Sequence, residues 1–291
     1  MKEIGIVIRT FNEDEYLQMV LDKIGGQTEQ SYHIVFVDSG SKDRTLEIIK
    51  SVSDCTLVKI SPSEFTYGRS LNLGIEALPQ SCKYVALLSA HAIPTDNEWL
   101  EQLIAPLRSD KSIAGVYGKQ TPLAEHLTNP IVKRFSKEFY PKAYGEGYFT
   151  TSEIQLFSNA NSAIRMEAWS NLPFDETLPN AEDIKWAREM ADRGSLIAYQ
   201  PSAAVYHSHA DSYFQFYQRK AKEEAAYHLL TPQQAPKVSM RYLLRQLAEF
   251  AADFIGKTIK YKRLTGEHWD DFIYLVTRNL AVYNGRRNPQ R

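Results

Sequence analysis

Cysteine is nearly missing from this chain: Cys55 and Cys82 are the only two in 291 residues, with no C-x-x-C pair. A disulfide framework and a thiolate metal cluster are therefore excluded, and a reducing compartment fits. No apolar run approaches the roughly 18 residues needed to span a bilayer. The N-terminus enters a strand-like Ile4-Gly5-Ile6-Val7-Ile8, so no signal peptide is expected. These absences predict a cytoplasmic protein, peripheral to a membrane at most. Neither charge sign dominates, the net charge being −1. With an acidic body and no recognised motif, nucleic acid is not an expected partner. The usual phosphate-cradling loops, G-x-G-x-x-G and G-x-x-x-x-G-K-[ST], are also missing.

What is present is an ordinary enzyme composition, 43% hydrophobic and 24% charged, in a chain long enough for one large core plus an appendage. The charge is uneven. Residues 211–291 hold 14 Lys/Arg against 8 Asp/Glu, whereas residues 1–210 hold 20 against 27. The basic C-terminal region fits contact with an anionic surface or an unevenly solvated face. The first 120 residues alternate strand and helix signals. Strands are expected at 4–10, 33–38, 56–60, 83–89 and 113–117. Between them lie helices marked by Leu17, Val20 and Ile24, by Leu46, Ile49 and Val52, by Leu71, Ile75 and Leu78, and by residues 97–107. Asn12, with Glu15 three residues on, reads as a capping box for the first helix, which stops at Gly25-Gly26. Such alternation predicts a mostly parallel sheet covered on both faces, with ligands at the carboxyl ends of its strands. Those ends carry Thr10, Asp38 and Ser89-Ala90-His91, nearly all polar. Residues 121–147 are rich in Pro, Tyr and Phe and read as a lid or a packed insertion. Beyond Asp211, Leu243, Leu247, Phe250 and Phe254 follow helical spacing, as do Phe272, Leu275, Val276 and Leu280. The expected division is residues 1–210 as one nucleotide-binding and catalytic domain and 211–291 as a helical region.

Three groups carry chemistry. Asp38-Ser39-Gly40-Ser41-Lys42-Asp43 ends the second strand, where a carboxylate can accept from a nucleobase or ribose and the Ser-Gly-Ser turn admits close backbone approach. The same residues also suit a plain strand-to-helix turn. Asn180-Ala181-Glu182-Asp183 opens a helix with two adjacent carboxylates, where the N-terminal partial charge helps keep a base ionised. Past the next strand, Tyr206-His207-Ser208-His209 supplies an imidazole pair as candidate metal or phosphate ligands. Trp186, on the helix of Asp183, fits either an acceptor-sugar platform or a buried anchor of that helix. The aromatic segment Phe135, Phe139, Tyr140, Tyr144, Tyr148 and Phe149 fits an acceptor groove or lid packing.

In this order the segments resemble the family-2 inverting glycosyltransferases, whose nucleotide-sugar domain has the GT-A fold. The resemblance rests on Ile8-Arg9-Thr10-Phe11-Asn12-Glu13, Val37 to Asp43, Gly68-Arg69-Ser70-Leu71-Asn72-Leu73-Gly74-Ile75, Leu88 to Pro94, Phe157 to Ala163 and Ala181-Glu182-Asp183. It covers about residues 1–210 and is nearest to the rhamnosyltransferase-like bacterial members that build surface polysaccharides. Gly115 to Gln120 and Val205 to His209 add to that likeness. The resemblance implies an α/β, GT-A-type mostly parallel sheet sandwiched by helices, with a helical C-terminal appendage. It implies Thr10 and Glu13 at the nucleotide pocket, Asp38 on the base, Arg69 near the nucleotide and Asp183 as catalytic base. Glu182 is then its neighbour or an acceptor-binding group, and His209 lies near the diphosphate or metal. The implied partners are a nucleoside-diphosphate sugar and a glycan or lipid-linked acceptor.

One departure bears on the cofactor. Where the family usually has Asp-x-Asp holding a divalent cation, this chain has Ser89-Ala90-His91. Mg²⁺ prefers oxygen ligands and imidazole suits Mn²⁺ or softer ions. His91 and His209 holding Mn²⁺, His91 donating directly to phosphate, the absence of metal, and His91 as a backbone cap all remain open readings. Two rival functions are a sugar-phosphate nucleotidyltransferase, whose Gly-rich N-terminal loop is missing, and a degenerate glycan- or nucleotide-binding protein, against which the Glu182-Asp183 pair argues.

Overall fold

In the computed structural model the described residues are 2–138, 147–154, 156–230 and 266–287, with scattered positions between 241 and 252. They divide into two compact units. The first comprises residues 1–121, 141–178 and 182–207, and the second 122–140, 179–181 and 208–291.

The first unit is built on nine strands: β1 (Ile4–Thr10), β2 (Tyr32–Asp38), β3 (Cys55–Lys59), β4 (Tyr84–Ser89), β5 (Ile93–Pro94), β6 (Ile113–Thr121), β7 (Phe149–Thr151), β8 (Asn161–Arg165) and β9 (Leu196–Tyr206). Its helices are α1 (Leu17–Gly25), α2 (Thr45–Lys50), α3 (Tyr67–Glu76) and α4 (Trp99–Ser109). The strands form one sheet in the order β3-β2-β1-β4-β8-β6-β9-β5, with β7 on β9. The run β3-β2-β1-β4 is parallel throughout. Ile4, Ile6, Val7 and Ile8 of β1 are fully buried, as expected of a parallel strand covered on both faces. Packing of α3 uses the face of β1 that carries Gly5 and Val7: a Cβ at Gly74 of α3 would stand 2.5 Å from Val7. The alternation in the sequence is therefore realised. What it did not signal is β8, which inserts antiparallel between β4 and β6. Its Asn161 and Ser162 are fully buried polar residues, so the strand lacks the apolar pattern by which strands are read.

The order reverses at β1, with β2 and β4 on its two sides, so the loops after β1 and β4 diverge and open a crevice at the carboxyl ends. Asn12 is not a helix cap. It stands at φ +56, its amide donates to the Ser41 hydroxyl at 2.9 Å, and its Oδ1 accepts from the Lys42 amide at 2.8 Å. The residue stitches the β1 loop to the β2 loop, and α1 starts five residues later at Leu17 without a side-chain cap.

The same unit holds α6 and α7 (Met166–Asn171 and Glu182–Asp192). The second unit contains α5 (Pro130–Glu138), α8 (Tyr213–Leu230) and α9 (Gly266–Arg287). Ile131, Phe216 and Tyr274 form its buried centre, with the Phe216 and Tyr274 rings stacked at 5.3 Å. The helix expected around Phe272 to Leu280 exists, but its most buried side chains are Tyr274, Ala281 and Tyr283, while Leu280 is 36% exposed. Small residues set that face: a Cβ at Gly285 would lie 2.3 Å from the Ala221 carbonyl of α8. Leu243, Leu247, Phe250, Phe254, Phe139, Tyr140 and Tyr144 lie outside the described residues. No helix among the described residues is long and apolar enough to cross a membrane.

Candidate active site

Two clusters stand at the carboxyl ends of the first unit's strands. The first is made by Glu13, Ser89, His91, Gln120 and His207. Pairing of β5 with β9 (Ile93 opposite Tyr206) pins the loop after β4 beside the end of β9. That brings the His91 and His207 rings into a stack at 4.9 Å between centroids, with Nε2 to Nε2 at 3.1 Å. His91 Nδ1 lies 3.1 Å from the Glu13 carboxylate, and His207 Nδ1 lies 2.8 Å from Gln120 Oε1. An ionised carboxylate and an amide oxygen only accept, so both Nδ1 atoms carry the protons. The two Nε2 lone pairs then face one spot, and they need a cation, a proton or a metal, between them. Two ligands about 2.1 Å from one ion lie roughly 3.0–3.4 Å apart, so the observed spacing fits a shared metal. Carboxylate and amide partners on the far nitrogens are the usual outer support of ligating imidazoles. Ser89 Oγ stands 3.3 Å from His91 Nδ1. His209 follows two residues after His207, and a link that short keeps it within about 7 Å along the chain.

The second cluster surrounds the start of α7. Asp183 caps its own helix: Oδ1 accepts from the Ile184 amide at 2.8 Å and Oδ2 from the Asn159 amide at 3.3 Å. Ala181, just before this helix, has φ +65, a left-handed position that is costly for a residue with a Cβ and is often found at functional sites. Burial, then the neighbouring Glu182 charge, raise the Asp183 carboxyl to about 7, against the pull of the two amides and Arg9. A carboxylate so raised is a stronger base near neutral pH than an ordinary one. Glu182 is 3% exposed and turned inward, where it meets the Asn159 side chain at 3.4 Å and Arg9 at 3.8 Å. That burial suits the role of neighbour to Asp183, not contact with an acceptor.

The expected nucleotide residues are divided. Thr10 and Asp38 come together, the threonine hydroxyl donating to Asp38 Oδ2 at 3.1 Å. Asp38 is 2% exposed, and its remaining acceptor positions take the Ser41 hydroxyl and the Gly40 and Ser41 amides. Gly40 stands at φ +99, which only glycine adopts cheaply, so the turn is fixed by sequence. Asp38 is thus held by Thr10 and by its own turn, and a further partner must displace one of these bonds. Arg69 pairs with Glu176 at 3.3 Å, in the loop that Asn72 also bonds.

Trp186 is not an acceptor platform. It is 1% exposed, packs at 5.7 Å between centroids against both Phe157 and Phe174, and donates its Nε1–H to the Leu172 carbonyl at 2.8 Å. It lies one turn after Glu182 and shares that residue's buried face. Trp186→Ala is expected to cost about 3–5 kcal/mol of stability, measured by chemical denaturation, whereas Trp186→Phe should leave the acceptor KM unchanged. Gln120, Arg9 and Asn159 are the residues the sequence did not assign to the site, and the role implied near the diphosphate went to His209 without His207. His207 was visible as half of the imidazole pair. The alternation of a strand end puts residues 207 and 209 on one side, which gave no ground for choosing 209 alone.

A sheet that runs β3-β2-β1-β4 in parallel, ends in polar residues and continues through antiparallel β8 fits the GT-A architecture of glycosyltransferases. Residues 5–170 match the profile of the family described as glycosyl transferase family 2, and the chain belongs to that family. It is 26% identical to the O-antigen chain rhamnosyltransferase RfbN of Salmonella typhimurium, over 98% of this chain and 96% of that one. It is 27% identical to the O-antigen chain rhamnosyltransferase WbaN of Salmonella anatum, over 90% and 88% respectively. Among solved structures, it is similar to the mannosyltransferase PcManGT of Pyrobaculum calidifontis, in complex with GDP-Man and Mn²⁺. The TM-score is 0.63 at 17% identity, over 97% of this chain and 86% of that one. Glucosyl-3-phosphoglycerate synthase of Mycobacterium tuberculosis, with Mn²⁺, UDP-glucose and glycerol 3-phosphate, gives a TM-score of 0.58 at 18% identity over 82% and 83%. The likeness to these two structures is one of fold.

Proposed function

We propose that this glycosyltransferase moves a sugar from a nucleoside-diphosphate donor to a glycan or lipid-linked glycan acceptor in bacterial surface polysaccharide synthesis, with inversion at the anomeric carbon. The two rhamnosyltransferase relatives support a deoxyhexose donor, rhamnose first among them. The observation that carries the reading is Asp183: a raised carboxylate on the helix start, whose neighbour Glu182 is buried and paired with Arg9. Asp183 takes the proton of the acceptor hydroxyl as that oxygen attacks, and a single displacement follows. Negative charge develops on the departing diphosphate, where preorganised donors or a cation stabilise it. Thr10, Glu13 and the Asp38 turn form the nucleotide pocket. Arg69 holds the loop of Glu176 at its rim.

His91 and His207, with His209 next along the chain, are the residues that would hold a divalent cation, and their nitrogen set favours Mn²⁺ over Mg²⁺. When bound, that ion supplies positive charge to the diphosphate. Glu13 and Gln120 keep the imidazole protons on Nδ1 and the free lone pairs on Nε2. The second unit carries the basic excess and suits an anionic membrane face or a lipid-linked acceptor.

A donor panel of nucleoside-diphosphate sugars, scored for released nucleoside diphosphate with EDTA, Mg²⁺ or Mn²⁺, tests this reading. A rhamnosyl donor should be consumed, and Mn²⁺ should outperform Mg²⁺. Release of pyrophosphate from a nucleoside triphosphate would replace the reading with a nucleotidyltransferase. Calorimetric binding of glycan alone, with no nucleoside diphosphate bound, would replace it with a binding protein.

A further inference from the structure

The buried Glu182 is the largest unexplained cost near the site. A carboxylate beside another carboxylate, almost without solvent, is kept only when something nearby balances it. The one cation that reaches it among the described residues is Arg9, the penultimate residue of β1. Arg9 is itself held: its guanidinium donates to the Tyr67 carbonyl at 3.2 Å and lies over the Tyr67 ring at 4.9 Å. Tyr67 begins α3, which packs on the Gly5–Val7 face of β1, the face to which Arg9 also belongs. Asn159 closes the arrangement, with its backbone amide on Asp183 and its side chain on Glu182.

We propose that Arg9, clamped by Tyr67, and the buried Glu182 form a positioning pair that sets the charge and orientation of Asp183. This rests on the reading of Asp183 as the base. Glu182 does not touch the acceptor. Its negative charge makes Asp183 hold a proton more strongly, and Arg9 limits that effect so that the group is still ionised near neutrality. Among the described residues, the neighbouring cations on the same helix and on the helix packed against it have other partners; Arg188 donates to the Ile154 carbonyl at 3.3 Å. On its own helix, Lys185 is turned to Asp175 at 2.5 Å and Glu189 at 3.3 Å. On α3, which packs against α7, Arg69 is paired with Glu176. The loop from Ser158 to Ala160 contributes only backbone and amide groups.

The titration at the centre of the test needs no substrate. In protein labelled with ¹³C at aspartate carboxyls, the Asp183 resonance is assigned by its loss in Asp183→Asn and titrated in wild type, Glu182→Gln, Arg9→Met and Arg9→Lys. Glu182→Gln is expected to move the midpoint down by about one pH unit, and Arg9→Met to move it up by about half a unit or more. Arg9→Lys, which keeps the charge, should restore most of the wild-type midpoint. Melting temperatures of the four proteins identify any variant that fails to fold, and Arg9→Gln, which also removes the charge, then stands in for Arg9→Met. An unchanged midpoint in Glu182→Gln, or a downward move in Arg9→Met, overturns the proposal. So does an Arg9→Met variant whose only change is a raised donor KM, since Arg9 would then be a diphosphate ligand. A titration that behaves as expected in a protein that consumes no nucleotide sugar would keep the pair and remove the transferase reading.

Discussion

Asp183→Asn is expected to lower transfer by about 10²–10⁴-fold while leaving nucleoside-diphosphate affinity within a factor of a few. The asparagine keeps the size and one acceptor oxygen for the Ile184 amide, and gives up only the longer 3.3 Å bond from the Asn159 amide. It cannot take a proton from the acceptor. The same substitution should not weaken the fold. An acid whose folded pKa lies above its unfolded value favours the folded state below the unfolded pKa, and that favour is lost as pH rises through the folded value. For Asp183 the window runs from about 4 to about 7. Above it, the wild type holds an unfavourable buried charge that the asparagine variant lacks. Asp183→Asn should therefore melt no lower than wild type at pH 8, and higher by up to a few degrees, with the difference vanishing near pH 4. Wild-type turnover should fall below about pH 7 as Asp183 takes up its proton. A variant that is both inactive and clearly less stable at pH 8 would point to a structural carboxylate instead of a base.

The second large effect belongs to the facing imidazoles. His91→Ala and His207→Ala each leave one Nε2 without its counterpart across 3.1 Å. Each should lower turnover by about 10²–10³-fold, the loss typical of removing one group that stabilises charge on a leaving oxygen. Mn²⁺ affinity, measured by calorimetry on the free protein, should fall in both. Glu13→Gln, which removes the charge that fixes the His91 proton, should cost a smaller 10–100-fold. Full activity of both alanine variants would separate this cluster from the diphosphate.

The parts of the fold that could be read in the sequence were those whose burial forces a pattern. β1, β2 and β4 are covered on both faces and show as continuous apolar runs ending in Thr10, Asp38 and Ser89. The helix of Asp183 showed through its apolar spacing and its acidic first turn. Antiparallel β8 did not show, because its buried Asn161 is satisfied by the Lys119 and Ala203 carbonyls and the Trp99 indole, contacts distant in sequence. Asn12 looked like a cap because asparagine is favoured there, yet tertiary bonds to the next loop claimed both its amide and its side chain. Trp186 was ambiguous because an aromatic beside an acidic helix start carries the same letters whether it faces a ligand or the core. The four-residue step from Glu182 to Trp186 placed both on one face, so the inward turn of one implies that of the other. Arg9 had no local signal at all. Its meaning comes from α3 crossing β1 and from a carboxylate far along the chain.

The account turns on a lone carboxylate performing one displacement at a sugar whose diphosphate sits where the strands end. The most direct measurement is ¹H NMR of the first sugar product formed from a consumed nucleotide-sugar donor, read before the product anomers equilibrate. The expected result is an anomeric configuration opposite to that of the donor, formed by wild type and not by Asp183→Asn. Retained configuration, or product formed equally by the asparagine variant, would contradict it.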